Sequence, residues 1–144
     1  MNRSVSFEAP RIYPTFRYRD AARMADWLVA AFGFRIHASH EHKGRIVHAE
    51  LALGSSMIMI GETLDDAYGD MVGVPGETGG KSTYVAIDDA DLLFARARSA
   101  GARILQGLTD RDYGSREFIC ADPEGNVWCF GTYWPKAHEN PAVE

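Results

Sequence analysis

Cysteine is scarce in this chain. Among 144 residues there are two, Cys120 and Cys129, too few to staple a small secreted scaffold. No apolar run approaches the roughly 18 residues that a membrane span requires. The opening MNRSVSFEAP lacks the apolar stretch of a secretory signal. Positive charge is not concentrated either: 15 Lys and Arg stand against 20 Asp and Glu, for a net charge of −5. That excludes the concentrated positive field by which a protein grips nucleic acid or an anionic membrane. What is present is ordinary for a globular domain, with 46% hydrophobic and 11% aromatic residues, enough to bury a sizeable core. These features predict a single soluble cytoplasmic domain that meets neither nucleic acid nor membrane.

The chain repeats itself. A shift of 68 residues lays Asp20 on Asp88, Gly33 on Gly101 and Ile36 on Ile104. In each half a strand leads to an Asp, a helix closed by Gly, and a further strand: TFRYRD before AARMADWLVAAFGF, then TYVAIDDADLLFARARSAGARI. Asp20 and Asp88 or Asp89 suit the helix N-cap, where a short carboxylate accepts free N–H groups. Gly33 and Gly101 suit the position just past the helix, where a left-handed conformation is needed. Met24, Trp27, Leu28, Ala31 and Phe32 form an apolar stripe at helical spacing, and Leu92, Leu93, Ala97 and Ala100 a weaker one.

Three strand-like runs follow each helix: Arg35–His40, Ile46–Leu53 and Met57–Gly61, then Arg103–Leu108, Ser115–Ala121 and Val127–Tyr133. Gly54 suits the first central position of a two-residue type II′ hairpin. Asp122-Pro-Glu-Gly turns the second hairpin, with Pro at the favoured second position. Each half therefore reads β-α-β-β-β, with unit 1 over about 11–62 and unit 2 over about 82–134. The Gly-rich stretch 63–81 is too long for an idle connection and is expected to form a lid or binding loop. Residues 1–10 and 135–144 read as loose ends.

The duplicated unit, closed in its second copy by DPEGNVWCFG, resembles the vicinal oxygen chelate superfamily. This group takes in glyoxalase I, bleomycin-resistance proteins, fosfomycin-resistance enzymes and extradiol dioxygenases. The resemblance covers about residues 11–134 and implies an α+β fold, two tandem βαβββ units forming a curled mixed sheet. It further implies a half-barrel with the ligand on its concave face and helices on the convex face. It also implies a homodimer.

Strand alternation predicts which side chains face that concavity. Closure at Gly54-Ser55 sets Glu50 opposite Met59 and His48 opposite Gly61. Closure at 122–125 sets Phe118 opposite Cys129 and Cys120 opposite Val127. The ligand-binding candidates are then His48, Glu50, Met59, Tyr113, Arg116, Phe118, Cys129 and Tyr133. Residues 58, 60, 128 and 130 share the face beneath the helices. His48 is either a pocket donor and acceptor or an ordinary strand histidine. Glu50 either acts as a general base or pairs with Arg116, and Arg116 either grips an anionic ligand or forms a structural bridge. A nucleophilic Cys129 needs a neighbouring cation, for which Arg116 is the candidate. His37, His40 and His42 read as a solvated hairpin.

The metal-dependent members of the resembled family place ligands on the first and last strand of each unit. Those positions map here to Tyr13 or Pro14, Met59, Ser82 and Cys129, with no His or carboxylate among them. The expectation is a protein without metal or other cofactor that binds a small organic molecule, as the bleomycin-resistance branch does. The alternative is a metal-dependent, glyoxalase-like lyase or a dioxygenase. No catalytic residue stands out.

Overall fold

The computed structural model describes residues 8–76 and 79–137; residues 1–7, 77–78 and 138–144, where parts of the expected loose ends and loop fall, lie outside it. Two units are built, Met1–Pro75 and Gly76–Glu144. In the first, strand β1 (Thr15–Tyr18) leads to helix α1 (Ala21–Phe32). Strands β2 (Arg35–His42), β3 (Arg45–Leu53) and β4 (Ser56–Glu62) follow, then a short helix α2 (Ala67–Val72). In the second, β5 (Thr83–Ala86), α3 (Ala90–Ser99), β6 (Arg103–Asp110), β7 (Arg116–Ala121) and β8 (Val127–Gly131) repeat the pattern. The architecture is α+β, with tandem βαβββ units and two four-stranded mixed sheets, ordered β1-β4-β3-β2 and β5-β8-β7-β6. The first strand of each unit runs parallel to the last.

Local chemistry explains the helices. Asp20 accepts from the Arg23 N–H at 3.1 Å and Asp89 from the Leu92 N–H at 3.0 Å, while Gly33 closes α1 at φ 85°. Met24, Leu28, Ala31 and Phe32 of the expected stripe are buried, and Trp27 packs edge-on to Phe32 at 5.0 Å. The stripe of α3 is thinner than expected. Ala90 and Ala97 are buried, but Leu92 is exposed. No helix among the described residues is long and apolar enough to cross a membrane.

The two hairpins differ, and the difference decides the second sheet's face assignment. The first closes as expected: Leu53 pairs with Ser56 and Glu50 with Met59, over a two-residue loop with Gly54 at φ 57°. The second is one residue longer than a four-residue turn allows. The Asp122 N–H donates to the Asn126 carbonyl at 2.9 Å, and Gly125 takes φ 94°, the three-residue loop ending in a left-handed glycine. Asp122 holds the loop by accepting from the N–H groups of Glu124 and Asn126 and from the Trp128 indole.

The register is therefore Phe118↔Phe130 and Ile119↔Cys129, with Cys120 opposite Trp128. A one-residue slip turns a strand's side chains to the other face. Phe118 and Arg116 thus share the helix face, contrary to the expectation that they face the concavity. Phe118 is fully buried, stacked on Phe130 at 5.2 Å and edge-on to Phe94 of α3 at 5.3 Å. Residues 58, 60, 128 and 130 lie buried on the helix side as expected.

Candidate functional site

Each sheet has one face beneath its helix and one open face, and the strand registers settle which residues share the latter. In unit 1, Thr15 and Arg17 of β1 stand beside Met59 and Gly61 of β4, and Glu50 pairs with Met59. His48 and Glu50 extend this row onto β3, and His40 of β2 lies opposite His48. In unit 2 the matching row is Tyr84, then Cys129 and Gly131, then Ile119 and Glu117. The offset between matching residues is 69 at the helix caps, Asp20 and Asp89. It is also 69 on the third strands, so the counterpart of His48 is Glu117 rather than Arg116.

The open face of unit 1 carries a cavity of about 290 Å³, walled by Thr15, Arg17, His48, Met59 and Tyr68 and reaching Gly61 at its floor. Glycine leaves this space empty: a Cβ at Gly61 would meet no side chain, only the Val47 carbonyl oxygen at 2.7 Å. His48 borders the space, its Nε2 lying 3.1 Å from a Glu50 carboxylate oxygen and its ring stacked 6.0 Å from that of His40. Tyr68 reaches the cavity from α2, within the 63–81 stretch expected to form a binding loop. The Arg17 guanidinium sits 4.7 Å from the centre of its ring, within cation–π range.

The open face of unit 2 is filled. Glu117 is only 4% exposed. Its carboxylate accepts from the Tyr113 hydroxyl at 2.6 Å and from Arg111 Nε at 3.3 Å, and the Cys129 thiol lies 4.0 Å away. Arg111 also donates to Gln106 at 3.1 Å. Gly131 makes the room: a Cβ there would lie 2.6 Å from the Tyr84 hydroxyl and 2.9 Å from a Glu117 oxygen. Burial pushes the Glu117 carboxyl up, but donors from Tyr113, Ser115 and Arg111 outweigh it and hold the group below its ordinary value. The same hydrogen bond, reinforced by burial, pushes the Tyr113 phenol up to about 12. Burial and the Glu117 charge also raise the Cys129 thiol, the opposite of what a nucleophilic thiolate needs.

The eight sequence-derived candidates thus separate. His48, Glu50 and Met59 lie together on the open face of unit 1. Tyr113, Cys129 and Tyr133 gather around Glu117 in unit 2, with the Tyr113 and Tyr133 rings edge-on at 5.9 Å and the Tyr133 carbonyl accepting from Tyr84 at 2.7 Å. Phe118 is core. Arg116 is clamped on the helix side by Asp91 at 3.0 Å and Asp110 at 2.9 Å, while Glu50 pairs with His48. Both cysteines are free. Cys120 is buried on the helix side, and its thiol is pushed up to about 12 by burial.

Sequence reasoning passed over Arg17, Tyr68, Arg111 and Glu117. Arg17 was legible, since Phe16 and Tyr18 of TFRY alternate with it and Tyr18 is buried. Glu117 depended on the Gly125 loop. Tyr68 had no local signal. At the positions where ligands were sought, Thr15 and Tyr84, rather than Tyr13, Pro14 or Ser82, stand beside Met59 and Cys129.

The chain belongs to the Glyoxalase/Bleomycin resistance protein/Dioxygenase superfamily, whose sequence profile matches residues 12–130. Among solved structures it is similar to TioX from Micromonospora sp. ML1, at 34% identity and a TM-score of 0.69 over 85% of this chain and 94% of that one. A family enzyme from Burkholderia phytofirmans shares the fold at 22% identity and a TM-score of 0.66, covering 83% of this chain and 94% of that one. An uncharacterised protein of Mycobacterium bovis is 29% identical over 125 residues, 85% of this chain and 82% of the relative.

Proposed function

We propose that this protein binds a small organic molecule on the open face of unit 1, without the metal ion used by the enzymatic members of its superfamily. The observation that carries this reading is the donor set at the paired first- and last-strand positions. Thr15, Met59, Tyr84 and Cys129 offer a hydroxyl, a thioether, a phenol and a thiol whose pKa is raised. A hard divalent ion needs several carboxylate, imidazole or carbonyl ligands, and the pair in neither unit supplies one. The cavity supports the binding role. At about 290 Å³ it stands at the small end of the roughly 300–1,000 Å³ usual for ligand pockets, with apolar walls and a few polar groups.

Elemental analysis of the purified protein tests the reading. We expect no stoichiometric divalent metal; a bound ion in a one-to-one ratio transfers the protein to the metal-dependent lyase or dioxygenase class. A cytoplasmic homodimer completes the proposal. β2 is a long, exposed edge strand, and such edges are ordinarily covered. Light scattering at micromolar concentration decides this, and a folded monomer rejects it.

A further inference from the structure

Arg17 is the least satisfied cation on the open face of unit 1. Its side chain is only 16% exposed. Of its five N–H donors, one bonds the Glu62 carbonyl at 3.2 Å, and the nearest carboxylate, Asp66, stands 3.8 Å away, beyond hydrogen-bond range. The rest of the guanidinium borders the cavity, where Tyr68 stacks on its face. A mostly buried guanidinium with one hydrogen bond leaves donors to be met, and its planar fork matches a carboxylate. The other polar wall is already engaged, because His48 lies against Glu50. The Thr15 hydroxyl donates to the Tyr13 carbonyl at 3.3 Å, and the remaining lining is mainly soft and flat, led by the Met59 thioether, the Tyr68 ring and the bare backbone at Gly61. Such a thioether favours an aromatic edge.

We infer that the cavity takes a planar aromatic acid, its ring against Met59 and Tyr68 and its carboxylate on Arg17. This rests on the ligand-binding reading above and goes further by assigning the ligand's charge and shape. Asp66 is then a competitor for the same guanidinium, holding it loosely while the site is empty.

The test compares 2-naphthoate with its neutral isostere 2-naphthamide by fluorescence titration. The wild-type protein should bind the acid about tenfold tighter than the amide, the discrimination of one charge-assisted contact. Arg17→Gln should bring that ratio to within about twofold of unity, weakening the acid far more than the amide. Asp66→Asn keeps a side chain able to cap α2 and should tighten the acid alone by about two- to threefold. Met59→Trp, which fills the cavity, should abolish both. Equal affinity for acid and amide in the wild type overturns the aromatic-acid assignment while leaving the cavity as a binding site. So does a ratio that Asp66→Asn leaves unmoved, which decides the matter if Arg17→Gln does not fold. If neither probe binds, or binding survives Met59→Trp, the cavity reading falls and this inference falls with it.

Discussion

Each unit places a glycine at the equivalent point of its own sheet, and the two do opposite things with the space above it. Gly61 stands beside Arg17 of β1, with Thr15, next along that face, too short to fill the gap, and His48 borders the space while bonded to Glu50; the result is a cavity. Over Gly131 the neighbours are Tyr84 and Glu117, whose hydroxyl and carboxylate occupy the gap. Tyr113, Arg111 and Cys129 then close around that carboxylate. A duplicated backbone thus yields one open and one filled face. The choice lies with two side-chain pairs: Thr15 against Tyr84, and His48 against Glu117.

The sharpest test of this contrast is the second sheet's register. With Phe118 packed beneath α3, Phe118→Ala should destabilise the protein by about 3–5 kcal/mol in a denaturant titration. Near-neutral behaviour would return Phe118 to the open face and undo the comparison. Next comes the filled space itself. Glu117→Gln removes a buried carboxylate and leaves Tyr113 and Arg111 poorly partnered, which should cost about 1–3 kcal/mol at pH 7, whereas His48→Ala should stay within about 0.5 kcal/mol. The Glu117 carboxyl is held below its ordinary value of 4.5. Its contribution is therefore fully present above that pH and lost as pH falls through the folded value. Chemical melts of wild type and Glu117→Gln should converge in that acid window; a gap that persists there removes Glu117 from the account.

A similar effect is expected of Gly61→Ala, which drives a methyl group into the Val47 carbonyl and should cost about 1–3 kcal/mol. Gly131→Ala meets the Tyr84 hydroxyl at 2.6 Å and the buried, hydrogen-bonded Glu117 side chain at 2.8 Å and should fall at the top of that range. Equal losses in thermal melts would mean that the two glycines are not discriminated as the contacts imply. The smallest effect is expected of Arg116→Ala. Its two carboxylate partners are exposed, and solvent leaves such pairs little net worth. A large loss, measured by denaturation, would show a structural role that the solvent-exposed clamp does not convey.

Much of this was readable in the residues. The duplicated βαβββ order, the Asp caps and the glycine stops follow from local rules that act within a few residues. The first hairpin was equally legible, because Gly54-Ser55 permits one closure and so fixes Glu50 opposite Met59. The face of the second sheet was not. Asp122-Pro-Glu-Gly is compatible with a four-residue turn and with a longer loop ending in a left-handed Gly125. Only the Asp122 carboxylate, gathering the Glu124 and Asn126 N–H groups and the Trp128 indole, selects the longer one. An alignment of the halves anchored on Asp88 rather than Asp89 carried the same error, and it turned Arg116 and Phe118 toward the wrong face while passing over Glu117.

By itself, then, the sequence determined the α+β repeat, the helices and their caps, and the open-face set His48, Glu50 and Met59, since each depends on spacing of a few residues along the chain. Tertiary structure decided the rest. It brought Tyr68 from the loop onto Arg17 across the first sheet. It buried Glu117 among Tyr113, Arg111 and Cys129, and it left Gly61 bare while covering Gly131. Those outcomes turn on contacts between residues distant in the chain, where one residue of loop length inverts a strand and no local propensity records the result.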